Sequence, residues 1–140
     1  MKQKGTFGLE IITPEKVVVM EDTTFAVVPG AKGPLGILPG HAPLLGSMDI
    51  GILRVRDSSM KELIAFVSRG FFMITHEKVT MITREAELKD QIDLDSAYAA
   101  KTRAKKLLSG TATDDEKEDA RDDLLKAETR IKVAKGTAFF

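Results

Sequence analysis

The chain has 140 residues, with 21 acids balanced by 21 bases and no cysteine. One domain with an appendage suits that length. Zero net charge removes any general pull toward nucleic acid or acidic lipid, and the lack of cysteine removes disulfides, thiolate metal sites and a cysteine nucleophile.

No apolar signal core is visible at residues 1–8. The longest apolar runs, residues 63–67 and 71–74, fall far short of the ~20 residues that span a bilayer. Membrane association is therefore expected only through a partner.

The character of the chain changes near Lys89. Residues 1–88 hold all five prolines and five of the seven phenylalanines, and residues 89–140 are denser in charge. The first segment reads as β. Phe7, Leu9 and Ile11 alternate along one strand face. A run at 17–20 follows the turn at Thr13-Pro14, and another at 23–28 ends at Pro29-Gly30. Leu53 and Val55 alternate with Arg54 and Arg56, as in a half-buried strand. Residues 63–67 are apolar on both faces and read as a central strand. Residues 70–75 and 79–84 predict a hairpin turning at His76, Glu77 and Lys78. Many short strands at this spacing suggest two packed sheets.

Residues 29–43 hold four glycines and four prolines. Proline fixes φ where glycine frees it, so a defined set of turns is expected. No Lys-Ser or Lys-Thr pair completes a phosphate-binding loop, and no Gly-x-Gly-x-x-Gly occurs. A rigid surface loop joining strands is the plainest reading, and a docking role is the next.

The second segment predicts two helices. Asp93 caps the first, whose stripe is Leu94, Ala97, Tyr98, Ala104 and Leu108, and Gly110 ends it. Thr113 and Glu116 form a capping box for the second, whose stripe is Ala120, Leu124, Ala127, Ile131 and Ala134. Its acids gather in the first half, and Lys132 and Lys135 lie in the last turn, as the helix dipole favours. The short connection makes the two antiparallel. Alanine stripes remove little apolar area from water. The hairpin is thus expected to lean on the sandwich, on its own tail Phe139-Phe140, or on a partner, and to be able to detach.

No constellation for catalysis is present. His41 and His76 lack a second ligand at metal spacing, and Ser47, Ser58, Ser59 and Ser68 show no strained nucleophile setting. The carboxylate pairs Asp114-Asp115 and Asp122-Asp123 read as solvated. So do Lys101, Arg103, Lys105 and Lys106, for which contact with an acidic protein surface is the alternative.

The segment Val27-Val-Pro-Gly-Ala-Lys-Gly-Pro-Leu-Gly-Ile-Leu-Pro-Gly-His-Ala-Pro-Leu-Leu45 closely resembles the epsilon subunits of F-type ATP synthases. Residues 49–56, 66–72 and 79–82 resemble the strands that follow in that family, and the helical end fits too. The resemblance implies a β + α fold, with an antiparallel β-sandwich at 1–88 and an antiparallel helical hairpin at 89–140. It implies a non-catalytic rotor subunit that couples catalysis to ion translocation and inhibits ATP hydrolysis through its C-terminal helices.

By the same resemblance, the sandwich docks on a gamma subunit and on the ring of c subunits. The docking loop carries Gly33, Leu35, Gly36, Pro39, His41 and Pro43, with Pro34 at the tip where many members have an acid. Lys101, Arg103, Lys105 and Lys106 become inhibitory contacts to alpha and beta subunits, which the helices meet transiently. No nucleic acid, metal or required cofactor is implied. The setting is peripheral, on the cytoplasmic face of the bacterial cell membrane.

Some bacterial members bind ATP through a motif matched here by Ile92-Asp-Leu-Asp-Ser-Ala97, with Ser96 in place of its arginine. Asp93, Arg103, Lys126 and Arg130 match nucleotide-binding positions, Lys126 standing for an arginine, so weak regulatory ATP is the implied ligand. A free-standing ATP-sensing module with a mobile helical hairpin is the alternative.

Overall fold

The computed structural model describes residues 5–136; the tail Phe139-Phe140 lies outside them. β1 (Phe7–Ile12) alternates as its sequence predicts, with Phe7, Leu9 and Ile11 buried. β2 (Val17–Gly30) is one strand, where the sequence suggests two. Glu21 and Asp22 together oppose the single Gly8, and Asp22 takes φ 55°. Such a bulge bends a strand without ending it, and aspartate tolerates the left-handed region.

The bend lets β2 serve two layers. Its first half pairs with β1, and its second half with β3 (Gly33–Ile37) and β5 (Gly51–Asp57). The remaining strands are β4 (Leu44–Met48), β6 (Glu62–Val67), β7 (Gly70–Ile74), β8 (Lys78–Thr83) and β9 (Ala86–Leu88). One layer runs β2–β1–β8–β7–β4, the other β3–β2–β5–β6–β9. The pairing of β1 with β8 is parallel, and the other pairings among the described residues are antiparallel as expected. Leu9, Ile11, Val28, Ile37, Leu53, Val67, Ile74, Val79 and Met81 fill the space between the layers.

The glycine- and proline-rich stretch is more than a loop. Its first part closes a β-hairpin, with Gly30 opposite Gly33 across the turn Ala31-Lys32. Gly33 sits at φ 123°, and a Cβ on Gly30 would lie 2.8 Å from the Gly33 carbonyl oxygen. Glycine is required at both positions. Only residues 38–43 form a loop proper, and β4 begins directly after Pro43.

Two helices follow β9 and a single helical turn at Lys89–Gln91. α1 (Leu94–Ser109) is capped by Asp93, which accepts from the Ser96 amide at 3.1 Å. Gly110 ends it in an extended conformation at φ −99°, without the left-handed turn its glycine suggested. α2 (Asp114–Lys135) starts at Thr113, whose hydroxyl accepts from the Glu116 amide at 3.2 Å and donates to the Glu116 carboxylate at 3.0 Å. The left-handed glycine is Gly136, which closes α2 at φ 66°.

The helices pack against each other along their alanines: Ala97 and Ala104 of α1 are buried, as are Ala120 and Ala127 of α2. α2 alone makes the main contact with the sandwich, lying on β5 and β6. There Val133 is buried with Ile50 and Phe66, flanked by Ile52, Ile64 and Ile92. This explains why β6 is apolar on both faces. Ala65 and Val67 face the inter-layer core, while Phe66 faces the helix.

Candidate functional site

The expected docking residues gather at one end of the sandwich. Gly33, Leu35 and Gly36 lie on β3, and Pro39, His41 and Pro43 on the loop after it. Gly33, Gly36 and Pro43 are exposed, Pro39 and His41 half-buried, and Leu35 packs on the core. The Ala31 amide bonds the Ser47 carbonyl and the Asp49 amide the Pro29 carbonyl, both at 2.9 Å, tying this hairpin to β4. The His41 Nδ1 donates to the Ala42 carbonyl at 2.7 Å. Pro34 is not at the tip: Ala31-Lys32 form it, and Pro34 lies on β3 opposite Pro29.

A larger surface was not anticipated from sequence. The back of the β2–β1–β8–β7–β4 layer carries Val17, Val19, Leu45, Phe71, Met73 and Ile82, each between 46% and 71% exposed. They form one patch, because pairing sets Leu45 opposite Met73, Phe71 opposite Ile82, and Ile12 opposite both Ile82 and Val17. Between Val19 and Thr80 within this face, Glu10 accepts from Lys78 at 3.1 Å and from Thr80 at 3.0 Å. Hydrogen bonds from these two partners hold its carboxyl below the usual range. A contiguous exposed apolar face of this kind marks a contact surface. The available signal was the unbroken apolar run of β7, since a strand apolar on both faces is covered on both.

The opposite back, under α2, is charged. Asp122 accepts from Arg69 at 2.6 Å, and Arg69 also reaches Asp49 at 3.2 Å. Lys126 bonds Glu85 at 2.9 Å. Arg130 bonds both Glu85 and Glu87 and stacks over the Phe66 ring, 4.2 Å from its centre. Burial pushes the Glu85 carboxyl up, but the hydrogen bonds from Lys126 and Arg130 outweigh this and bring it below its ordinary value. The bond from Arg69 does the same for Asp122. Asp122 is thus a bridging residue and not the solvated acid its sequence context suggests.

Three of the four expected nucleotide residues meet. Arg103, Lys126 and Arg130 line a cavity of about 230 Å³ between the helices, together with Glu85 and Asp123. Asp93 does not line it, since it caps α1, and the bond from the Ser96 amide holds its carboxyl below the usual range. The charges of Lys126 and Arg130 are already met by carboxylates, which leaves Arg103 as the cation of the cavity with no such partner among the described residues.

The α1 bases form no single patch. At 100° per residue, Lys101 and Lys105 share one side and Arg103 and Lys106 another. The second pair flanks the exposed Leu107 beside the turn at 110–112. Among the described residues, no group of three or more His, Asp or Glu side chains is placed to hold a metal ion.

The chain is similar to known proteins in sequence and in fold. The family described as ATP synthase, Delta/Epsilon chain, beta-sandwich domain matches residues 6–89. The ATP synthase epsilon chain of Desulforamulus reducens is 43% identical over 92% of this chain and 97% of its own length. That of Desulfitobacterium hafniense is 45% identical over 75% of this chain and 79% of its own. A chain of the Euglena gracilis mitochondrial ATP synthase shares the fold at a TM-score of 0.80 and 18% identity, covering 96% of this chain and 84% of that one.

Proposed function

The chain belongs to the family of ATP synthase epsilon chains, and from that premise we propose that its sandwich seats it on the rotor while its hairpin brakes ATP hydrolysis. It is a non-catalytic rotor subunit of a membrane-associated ATP synthase complex. No helix among the described residues is long and apolar enough to cross a membrane. The cytoplasmic face of the cell membrane is the setting this reading assigns.

The bare apolar back of the β2–β1–β8–β7–β4 layer carries the proposal. A contiguous exposed apolar patch marks an interaction site, and a gamma subunit is the partner assigned to it. The hairpin of β2 and β3, with Pro39, His41 and Pro43 beyond it, faces the c ring. Lys101, Lys105, Lys106 and Arg103 reach acidic surfaces of alpha and beta subunits when the helices leave the sandwich.

No cofactor is required in this scheme, and ATP acts as a weak regulatory ligand at most. Its phosphates compete with Glu85 and Glu87 for Lys126 and Arg130, and Ser96 supplies no charge. Titration of the isolated chain tests this: saturable binding at micromolar ATP would favour the free-standing ATP sensor. The main reading is tested by deleting residues 89–140. The truncated chain assembles with gamma and c subunits and ATP hydrolysis rises. Failure to assemble, or unchanged hydrolysis, would refute the division between seat and brake.

A further inference from the structure

The charges that fix α2 to the sandwich form a line. Asp122, Lys126, Arg130 and Val133 recur at helical spacing on one face of α2. Over this distance of about 16 Å, Asp122 meets Arg69, Lys126 meets Glu85, and Arg130 meets Glu85 and Glu87. Only the last position, Val133, is apolar, packed with Ile50 and Phe66 beside the chain's entry into the hairpin.

We infer that the hairpin is held down by an electrostatic latch, the rungs Arg69–Asp122, Lys126–Glu85 and Arg130–Glu85/Glu87, hinged at Val133. This rests on the hairpin being mobile and adds what governs its release. An apolar seam strengthens as salts are excluded from it, but solvent-accessible ion pairs weaken as the Debye length shrinks from about 10 Å at 0.1 M to about 3 Å at 1 M. The rungs differ in the shelter of their cations. The carboxylates are alike, Asp122 36% and Glu85 39% exposed, but Arg69 is 55% exposed against 21% for Arg130, so the outer rung yields first and the Glu85 rung last.

The sandwich already organises the inner rung. Ser68 and Thr83, both buried, share a hydrogen bond at 2.7 Å, and Ser68 Oγ accepts from the Glu85 amide at 3.0 Å. Glu85 is therefore presented to α2 from a fixed backbone, ready to receive two cations from adjacent turns.

The natural absence of cysteine permits one donor–acceptor dye pair, at Ser59→Cys and Thr111→Cys, in the full chain. Energy transfer is read against NaCl from 0.05 to 1 M. The unmodified latch opens as salt rises. Asp122→Asn and Glu85→Gln each raise the open fraction at low salt by about fivefold, as the loss of roughly one rung implies. Combined with each other and with Glu87→Gln, which removes the remaining partner of Arg130, they open it further and abolish the salt response. Glu15→Gln, an exposed acid outside the seam, changes nothing. Circular dichroism of each variant keeps unfolding distinct from opening. A salt response that survives in this triple variant, or that Glu15→Gln alters equally, overturns the latch. A dye distance that stays fixed in every variant overturns the mobile hairpin itself.

Discussion

The two layers of the sandwich share one core and differ in what lies on their backs. One back is bare and apolar, with Phe71, Met73, Ile82 and Leu45 facing outward. The other is covered by α2 of the same chain, through ion pairs around a single buried ring, Phe66. The contrast separates two kinds of contact. An apolar face gains from permanent burial and loses by exposure. A charged seam exchanges protein partners for water at small net cost, because the Coulombic gain is nearly offset by desolvation. The bare back suits a seat that stays closed, and the charged back suits a cover that comes off.

The largest effect should come from removing the apolar anchor of the covered back. Phe66 is fully buried, and Phe66→Ala should cost about 3–5 kcal/mol. It should open the hairpin while leaving affinity for gamma unchanged. Chemical denaturation and a gamma pull-down, run side by side, check both halves. If gamma binding falls with stability, the backs are not independent.

The reciprocal change is Phe71→Glu on the bare back. Thermal stability should move little, since an exposed substitution away from special features shifts it by only about 0.5 kcal/mol. Affinity for gamma should fall by roughly 2 kcal/mol or more, the scale of a central aromatic anchor, about thirtyfold. Surface plasmon resonance with immobilised gamma measures it. A variant that binds as tightly as the parent would move the seat elsewhere.

How much of this was written in the sequence varies by region. Strands whose residues alternate, as in Phe7–Leu9–Ile11 and Leu53–Val55, were legible because one face meets the core and the other water. Helix ends were legible from Asp93 and Thr113, which act on neighbours three residues away. β2 was misread as two strands because a bulge at Asp22 leaves the same local pattern as a break. β3 was hidden because proline and glycine argue for turns, although Pro34 stands opposite Pro29 on a strand that pairs only with β2 among the described residues. The second face of α2 was invisible for another reason. Hydrophobic periodicity finds apolar stripes, and this stripe is Asp122, Lys126 and Arg130. Their partners lie 41 to 53 residues away in the chain, beyond any local pattern.

Acid should loosen the docking of α2 on the covered back. The groups facing each other there are Arg69, Asp49, Glu85 and Glu87 from the sandwich and Asp122, Lys126 and Arg130 from α2, with Asp123 and Arg103 lining the adjoining cavity. Glu85 and Asp122 both titrate below their ordinary values in the folded chain. Their contribution is therefore complete above the ordinary carboxylate range of about 4, and is lost as pH falls through the depressed folded values. Hairpin docking should weaken below about pH 4, followed by energy transfer, while near-ultraviolet signals of the sandwich core persist. Opening that begins near neutrality would point to groups other than these carboxylates.

The smallest expected effect separates the hairpin's own folding from its docking. Thr113 touches neither back. Its hydroxyl accepts from the Glu116 amide and donates to the Glu116 carboxylate, so Thr113→Ala frays the first turn of α2 and costs about 1 kcal/mol. That turn precedes the outermost rung at Asp122 by two helical turns, and the helix–helix seam there is alanine. Alanine contributes little burial, so the loss is not buffered by packing and should appear as faster amide exchange across residues 114–120. The rungs at Lys126 and Arg130 should keep their protection. If exchange rises evenly along all of α2 instead, the helix lifts as one body, and the inner and outer rungs are a single cooperative contact without the graded order their exposures imply.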